Sequence, residues 1–355
     1  MTRMQGGGIK VAVGGATGNV GGEMLRVLEE RRFPVRELIP LASAASNARM
    51  VCFQRRQIPV GDLAKYDFAG TDLLLLSTGA ANSRETSPRA AAAGCVVVDN
   101  SSAFRMDPLV PLVVPEVNEG ALGDWEKRRI LAVANCSTIQ LVVALKPLHD
   151  AARIKRVVVA TYQSASGGGR GMLERLLTPA DRGTLASQAK AATAKGEQKP
   201  VHFNVIPHID VFLEDGRTKE EWKMEMETRK IFGEPSLPVS ATCVRVPVTV
   251  GHAEAVNVEL ERPLSSEDAR TLLRGAPGIM VIDDRRDGGY ATPLDAAGTD
   301  PVYVSRLRDD RTVQHGLSFW VVADNVRKGA ALNAVQIAES LLRMGAFGRD
   351  AYKVA

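Results

Sequence analysis

The stretch "VAVGGATGNVGG" (residues 11–22) decides how this chain is read. It is entered by an apolar, β-branched run, "IKVAVGG" (9–15). It is left by "ATGNVGGEMLRVLEERR" (16–32), where Val20, Met24, Leu25 and Leu28 fall on one helical face. Gly15, Gly18 and Gly21 stand at the junction with the spacing G-x-x-G-x-x-G. A strand, a glycine turn and a helix in that order form the context of a dinucleotide fingerprint. Glycine lets the backbone approach a pyrophosphate closely, and the first turn of the helix offers it unpaired N–H groups. The blander reading is an ordinary glycine-rich turn, and the neighbouring segments decide between the two.

Working outward, "ELIPLAS" (37–43), "DLLLLSTG" (72–79) and "CVVVDNSS" (95–102) read as further strands, and "SRETSPRAAAAG" (83–94) as a helix with a glycine stop. This βαβ alternation predicts a doubly wound parallel sheet, which favours the nucleotide reading. Beyond residue 136 the texture changes. "IKRVVVATYQSASGGGRG" (154–171) is a strand running into a glycine-rich loop, and residues 172–198 read as helical and exposed. "EEWKMEMETRKIFG" (220–233) is a helix ending at Gly233, and "VSATCVRVPVTVGHAEAVNVELERP" (239–263) reads as nearly all strand. "SSEDARTLLRGAPG" (265–278) carries a serine N-cap followed by acidic residues. "GLSFWVVADNVRKGAALNAVQIAESLLRM" (316–344) is a strand, a loop and a long closing helix. The expected second part is an antiparallel or mixed sheet with helices, inserted before a last helix that returns to the first domain. Residues 179–200 fit either a dimer helix or an exposed flap.

The 355 residues suit about two domains. A hydrophobic fraction of 45% and a charged fraction of 24% are those of a globular chain with a sizeable core. The net charge of +4 is spread out, with no basic tract that argues for nucleic acid. No apolar run reaches the length of a membrane span, and "MTRMQGGGIK" lacks a signal-peptide core, so a cytoplasmic protein is expected. The four cysteines are dispersed, form no CxxC pair and have no histidine cluster beside them, so no metal site is expected.

One of those cysteines, Cys136 in "NCST", precedes an apolar run of helical character. A helix N-terminus lowers a thiol's pKa and supplies N–H donors. Taken alone, a cysteine there is more often a packing residue. "RVPVTVGH" places Arg245 and His252 on one strand-like segment, with His252 at the end of the run. A neutral histidine near a thiol serves as acid and base, and an arginine can hold a carboxylate by its fork. Glu220 and Lys223 are three apart on one helix face, which is usually a solvated pair. Arg105 follows a parallel strand, where ligand crevices open. The second strand ends in "LASAASNAR", with Ser43, Ser46 and Arg49 where an NAD site carries an acidic residue, and this favours NADP.

Together "GGATGNVG", "DNSSAFRMD", "VPLVVPEVN", "NCST", "YQSASGGG", "EEWKMEMETRKI", "CVRVPVTVGH" and "ADNVRKGAA" resemble the aspartate-β-semialdehyde dehydrogenase family over nearly the whole chain. The resemblance implies an N-terminal Rossmann-type sheet completed by a C-terminal helix (1–135 and 328–355). A central α+β catalytic and dimerisation domain (136–327) would complete the chain. It implies Cys136 as nucleophile, His252 as acid/base residue and Gln163 as the residue orienting the reacting carbonyl. Arg245 and Glu220 would grip the substrate's carboxylate and amino groups. Arg105, Asn135 and Lys223 would form the phosphate site. The cofactor would lie along Gly15, Ala16, Thr17, Gly18, Asn19 and Val20, with Ser43, Ser46, Ser166, Gly167 and Asn325 also beside it.

The family commonly places an arginine between the two serines. Here Ala44 and Ala45 stand there, which leaves NAD use open beside NADP. The implied reaction is reductive dephosphorylation of L-4-aspartyl phosphate to the semialdehyde through a cysteine thioester. It belongs to the route to lysine, diaminopimelate, threonine and methionine. The implied partners are a small-molecule substrate, phosphate and a second copy of the chain, in a homodimer or a tetramer. The nearest rival is N-acetyl-γ-glutamyl-phosphate reductase, whose acylated substrate lacks the free amine that Glu220 suits. From another class, a non-catalytic dinucleotide-binding protein would not need the Cys–Gln–His set.

Overall fold

The computed structural model describes residues 7–46 and 49–348. The termini of the expected first domain, residues 1–6 and 349–355, lie outside the described residues, as do Asn47 and Ala48 of "LASAASNAR". The chain divides into one unit of Met1–Asn135, Lys230–Gly233 and Gly329–Ala355, and another of Cys136–Arg229 and Glu234–Lys328.

Among the described residues the first unit holds nine strands: β1 (Ile9–Gly14), β2 (Val35–Ala42), β3 (Met50–Phe53), β4 (Arg56–Pro59), β5 (Gly61–Asp62), β6 (Leu73–Leu76), β7 (Val96–Asp99), β8 (Leu112–Val113) and β9 (Ile130–Val133). Seven form a parallel sheet in the order β5-β2-β1-β6-β7-β9-β8, and β3 and β4 make a separate hairpin. The sequences LLLL and ILAV are buried throughout, because helices cover both faces of a parallel sheet. Strand order reverses between β1 and β6, and the crevice at such a switch point is where a doubly wound sheet takes its ligand.

The helix Leu332–Arg343 returns to this unit. It packs beside the helix Asn19–Glu30 and against β6 and β7. Asn333 donates to the Val113 carbonyl at 3.0 Å, and Arg31 makes a two-pronged pair with Glu339 at 2.7 and 2.8 Å. The Rossmann-type sheet closed by a C-terminal helix is therefore present as expected.

The second unit holds β10 (Ile154–Gln163), β11 (Val239–Arg245), β12 (His252–Leu260), β13 (Ile279–Val281), β14 (Val302–Asp310) and β15 (Gly316–Ala323). They form one mixed sheet in the order β11-β10-β12-β15-β14-β13. The helix Cys136–Ala152 lies against β10, β12, β14 and β15, and also packs on the helix Ser266–Arg274, whose N-cap is Ser265 as expected. The segment 172–198 forms two helices, Arg170–Leu177 and Arg182–Lys195, with few buried side chains. No helix among the described residues is long and apolar enough to cross a membrane.

One expectation needs correcting. Residues 239–263 are not a continuous strand. β11 pairs with β10 in parallel and β12 pairs with β10 antiparallel on its other side. Residues 246–251 carry the chain across the end of β10, held by Ala165 N–H to Val248 O (2.7 Å) and Ser166 N–H to Thr249 O (3.1 Å). Pro247 has no N–H to give a ladder. Gly251 turns with φ +95°, where a Cβ would sit 2.9 Å from Pro293. Arg245 thus ends one strand and His252 begins another, rather than both lying on a single segment.

Candidate active site

In the first unit the glycine turn sits at the β1–β6 switch point. Gly15 has φ +81°, and a Cβ there would lie 2.2 Å from the Ser77 carbonyl oxygen. A Cβ on Gly21 would lie 2.1 Å from the Gly15 carbonyl oxygen, so helix and turn can touch only through glycine. The helix Asn19–Glu30 follows with Gly18 as N-cap, no capping side chain and no acidic residue in its first turn. Its N-terminal donors therefore face the turn without a built-in anion. Asn19 Nδ2 and Thr78 Oγ1 are buried near it with no hydrogen-bond partner among the described residues. Ala16 is buried, Val20 is half-buried, and Thr17 Oγ1 is 3.4 Å from Ser46 Oγ. Ser43 is exposed at the end of β2, and Arg49 is exposed immediately before β3. Unfilled donors beside a glycine cradle fit a dinucleotide phosphate.

Also in this unit, Arg105 is buried and anchored to the ends of two strands. Its Nε donates to Val133 O and its Nη2 to Asn100 O, both at 2.8 Å. Asn135, also buried, is the residue before the helix Cys136–Ala152.

The second unit assembles a row of side chains from three neighbouring strands. Gln163 pairs with Arg245, and Tyr162 with Ala253, which sets His252 level with Gln163 on the other side of β10. All three side chains are buried, and the helix that starts at Cys136 packs on the same sheet. Cys136 is half-buried; burial lowers the Arg245 pKa, and Cys136, Glu220 and Cys243 oppose it in that order. Arg245 Nη1 donates to Ser164 O at 2.6 Å, while its Nε is buried without a partner among the described residues.

His252 is fully enclosed. Burial first, and Arg245 second, hold its pKa well below 6.5, so the ring is neutral at neutral pH. Ser164 N–H donates to its Nδ1 at 3.0 Å, and a backbone N–H can only donate. Nδ1 therefore carries the lone pair and Nε2 the proton. Nε2 has no partner among the described residues. A Cβ on Gly167 would lie 2.9 Å from that nitrogen and 3.1 Å from Arg245 Nη1, so only glycine fits against both.

Glu220 and Lys223 are not a solvated pair. Both are nearly buried, with Lys223 Nζ 3.0 Å from Glu220 Oε2 and 2.7 Å from Asp210 Oδ2. Burial lowers the Lys223 pKa, but the two carboxylates outweigh it and the net shift is upward. Gln163 Nε2 donates to Glu220 Oε1 at 3.3 Å, tying this helix to the row. Ser166 and Asn325 are bonded to each other, and Asn325 Oδ1 also accepts from Ser164 Oγ (3.0 Å) and Gly251 N–H (2.9 Å).

Two residues escaped the sequence. Ser164 uses its N–H, carbonyl and hydroxyl to hold His252, Arg245 and Asn325, yet nothing separates it from its neighbours in "YQSASGGG". Asp210 lies thirteen positions before Lys223 with no spacing that links them. The other cysteines contrast with Cys136. Burial pushes the Cys95 thiol up to about 12 and raises Cys243 as well, while Cys52 is exposed on a hairpin strand. Among the described residues no group of three or more side chains could hold a metal ion.

Comparison with known proteins follows the same division. Residues 10–125 match the semialdehyde dehydrogenase NAD binding domain, and residues 145–328 the semialdehyde dehydrogenase dimerisation domain. The aspartate-semialdehyde dehydrogenase of Aquifex aeolicus is 51% identical over 347 residues, covering 95% of this chain and 99% of that protein. The solved structure of aspartate semialdehyde dehydrogenase II from Vibrio cholerae complexed with ASA is 45% identical with a TM-score of 0.86, over 95% of this chain and 98% of that one. That of the Candida albicans enzyme with NADP is 26% identical with a TM-score of 0.70, over 96% and 99%. The chain belongs to the aspartate-semialdehyde dehydrogenase family.

Proposed function

We propose that the chain interconverts L-4-aspartyl phosphate and L-aspartate 4-semialdehyde, with NADP as cofactor, through a thioester on Cys136. This is the step that feeds lysine, diaminopimelate, threonine and methionine synthesis. The observation that carries the reading is the row Arg245–Gln163–His252 facing the helix that begins at Cys136. The helix start and the Arg245 guanidinium stabilise negative charge on the sulfur. The thiolate attacks the acyl carbon, the bond to the phosphate oxygen breaks, and phosphate leaves with the electron pair.

Arg245 meets the α-carboxylate through the edge that carries its unpartnered Nε. Glu220 accepts from the α-ammonium, which the acylated substrate of the rival reductase lacks. The Nε2–H of neutral His252 holds the reacting carbonyl oxygen, joined by Gln163 once one of its two long N–H bonds, to Thr161 and Glu220 at 3.3 Å, is given up to the substrate. His252 cannot take a proton at Nδ1 without losing the Ser164 N–H bond, so its role is that of a donor to developing oxyanion charge. Lys223 keeps one of its three N–H groups beyond those on Glu220 and Asp210. Arg105 and Asn135 are assigned to the phosphate by the family resemblance.

The glycine turn, with Asn19, Thr78, Ser43 and Ser46, would hold the dinucleotide, and the family resemblance assigns Ser166, Gly167 and Asn325 to the nicotinamide. When bound, the nicotinamide supplies a hydride. Expulsion of the aldehyde then breaks the carbon–sulfur bond and returns Cys136 as thiolate. The Candida albicans structure with NADP and the lack of an acidic side chain at the end of β2 support NADP.

A homodimer formed through the second unit accompanies this reading. Its matched dimerisation domain and the exposed Phe203 (71%) and Phe212 (62%) support it. Light scattering on purified protein should return twice the chain mass, or four times it for a tetramer; a monomer would remove the dimer.

The test of function is a phosphate-dependent assay with aspartate semialdehyde and N-acetylglutamate semialdehyde, each with NADP and NAD, followed by mass spectrometry of acid-quenched enzyme. Turnover of the first substrate and an acyl adduct on the Cys136 peptide are expected. An adduct elsewhere, or turnover of the second substrate alone, would overturn the reading.

A further inference from the structure

Immediately behind the nucleophile and the histidine, the second unit buries a pair of polar side chains that the chemistry above does not use. Gln140 lies four residues after Cys136, one turn along the same helical face. Glu254 lies two residues after His252, on the same face of β12. Both are 0% exposed. All four terminal atoms, Gln140 Oε1 and Nε2 and Glu254 Oε1 and Oε2, are without a hydrogen-bond partner among the described residues. Burial holds the Glu254 carboxyl well above its usual range, opposed by the Gln140 amide, and the helix that carries Gln140 packs on β12, the strand that carries Glu254. Glu254 also stands level with Thr161, whose hydroxyl takes a hydrogen bond from Gln163 Nε2 at 3.3 Å. Cys243 and His252 are the nearest other titratable groups on these strands, and Glu254 contributes to the raised pKa of Cys243.

A fold that needed only packing here would place aliphatic side chains, as it does at Val256 and Val258 further along the same face. Burying four polar atoms costs stability unless they satisfy one another or a bridging water. We propose that Glu254 and Gln140 form a positioning pair, joined directly or through one water, that fixes the Cys136 helix against the His252 strand. The pair repeats the Cys136–His252 juxtaposition one helical turn and one pleat deeper. The inference rests on the reading of Cys136 and His252 given above.

The test uses Glu254→Met, Gln140→Leu and their combination, with Glu254→Gln as the conservative variant and Cys136→Ala as control. If the pair sets the alignment, Glu254→Met and Gln140→Leu each lower kcat by about 10- to 100-fold, the scale of an ångström of misplacement, with KM little changed. Each single variant strands the polar atoms of its partner and lowers the melting temperature, whereas the combined variant, with apolar groups of similar size at both positions, melts level with the parent or above it. The combined variant loses no more than either single one, as coupled residues do. Glu254→Gln, which keeps a hydrogen-bonding group, stays within about threefold of the parent.

Full kcat in Glu254→Met and Gln140→Leu, or losses that multiply in the combined variant, would overturn the pairing. So would a kcat loss matched by fewer alkylatable Cys136 thiols, or a combined variant that melts below the single ones. Should Glu254→Met not fold, Gln140→Leu and Glu254→Gln decide alone. Turnover by Cys136→Ala overturns the nucleophile and this inference together, whereas an inactive Cys136→Ala beside a fully active Glu254→Met overturns the inference only.

Discussion

In the glycine turn the contacts that matter belong to the backbone. Gly15 and Gly21 are needed because a single methyl group at either would meet a carbonyl oxygen at 2.2 or 2.1 Å. In the row Arg245–Gln163–His252 they belong to side chains, and the backbone serves to level three strands. The first site is centred on a dozen consecutive residues, with Ser77 and Thr78 after β6 closing against them. The second draws on positions from 136 to 252 and depends on a chain reversal around the end of β10. A backbone site tolerates any side chain that stays out of the way and rejects any that intrudes. A side-chain site is sensitive to the chemistry of each head group, and at Gly167 it excludes a methyl group as well.

The sharpest test of this contrast is Cys136→Ala. Turnover should fall by about 10⁶-fold, as when a covalent nucleophile is lost. Cofactor affinity, followed by fluorescence titration, should be unchanged. His252→Ala comes next, with kcat lower by about 10²–10⁴-fold and KM little moved. His252→Asn, which keeps an N–H donor, should recover part of the loss if donation to an oxyanion is the role. Equal losses in the two variants would argue for true proton transfer instead.

Arg245→Lys should raise KM for the semialdehyde by about 10- to 100-fold, since an ammonium cannot make the fork contact. Steady-state kinetics with unchanged KM would remove Arg245 from the carboxylate. Gly15→Ala should weaken NADP binding by about tenfold or more through left-handed strain and the close approach to Ser77. Its Cys136 should alkylate at the parent rate. A variant that instead bound NADP normally and lost kcat would break the comparison.

The smallest effects concern pH and stability. The unfolded chain protonates His252 below about 6.5 and the native chain does not. The stability this group contributes is present above that pH and is lost as the pH falls. Glu254 works the other way. The native carboxyl keeps a proton that the unfolded chain releases above about 4.5, so stability is full below that pH and is lost as the pH climbs towards its raised folded value. His252→Gln should therefore flatten the acid side of a melting profile and Glu254→Met the alkaline side, each by about 2–4 °C per kcal/mol. Unchanged profiles would mean that water reaches both groups.

The glycine turn could be read directly, because strand, turn and helix are adjacent and each leaves a local pattern. Cys136 could be placed at a helix start for the same reason. The partners of Cys136 came from a resemblance spread over eight short segments. Within the segment 239–263 the sequence pattern failed, because β-branched residues run on through the place where the chain changes sides of β10. Pro247 and Gly251 were the marks of that break. Ser164 and Asp210 left no mark, since a serine among serines and an aspartate in a loop are unremarkable until their neighbours are known.

What the sequence determined by itself was the parallel sheet, the nucleotide turn and the identity of a thiol at a helix start. All three rest on interactions between residues a few positions apart. Only the tertiary structure decided that Gln163 and Arg245 share a row with His252, that the ring shows its Nε2 proton to the site, and that Glu220 and Lys223 are buried rather than solvated. The physical reason is that register and burial are properties of strand pairing. A one-residue shift of a strand would turn Gln163, Arg245 or His252 to the other face of the sheet.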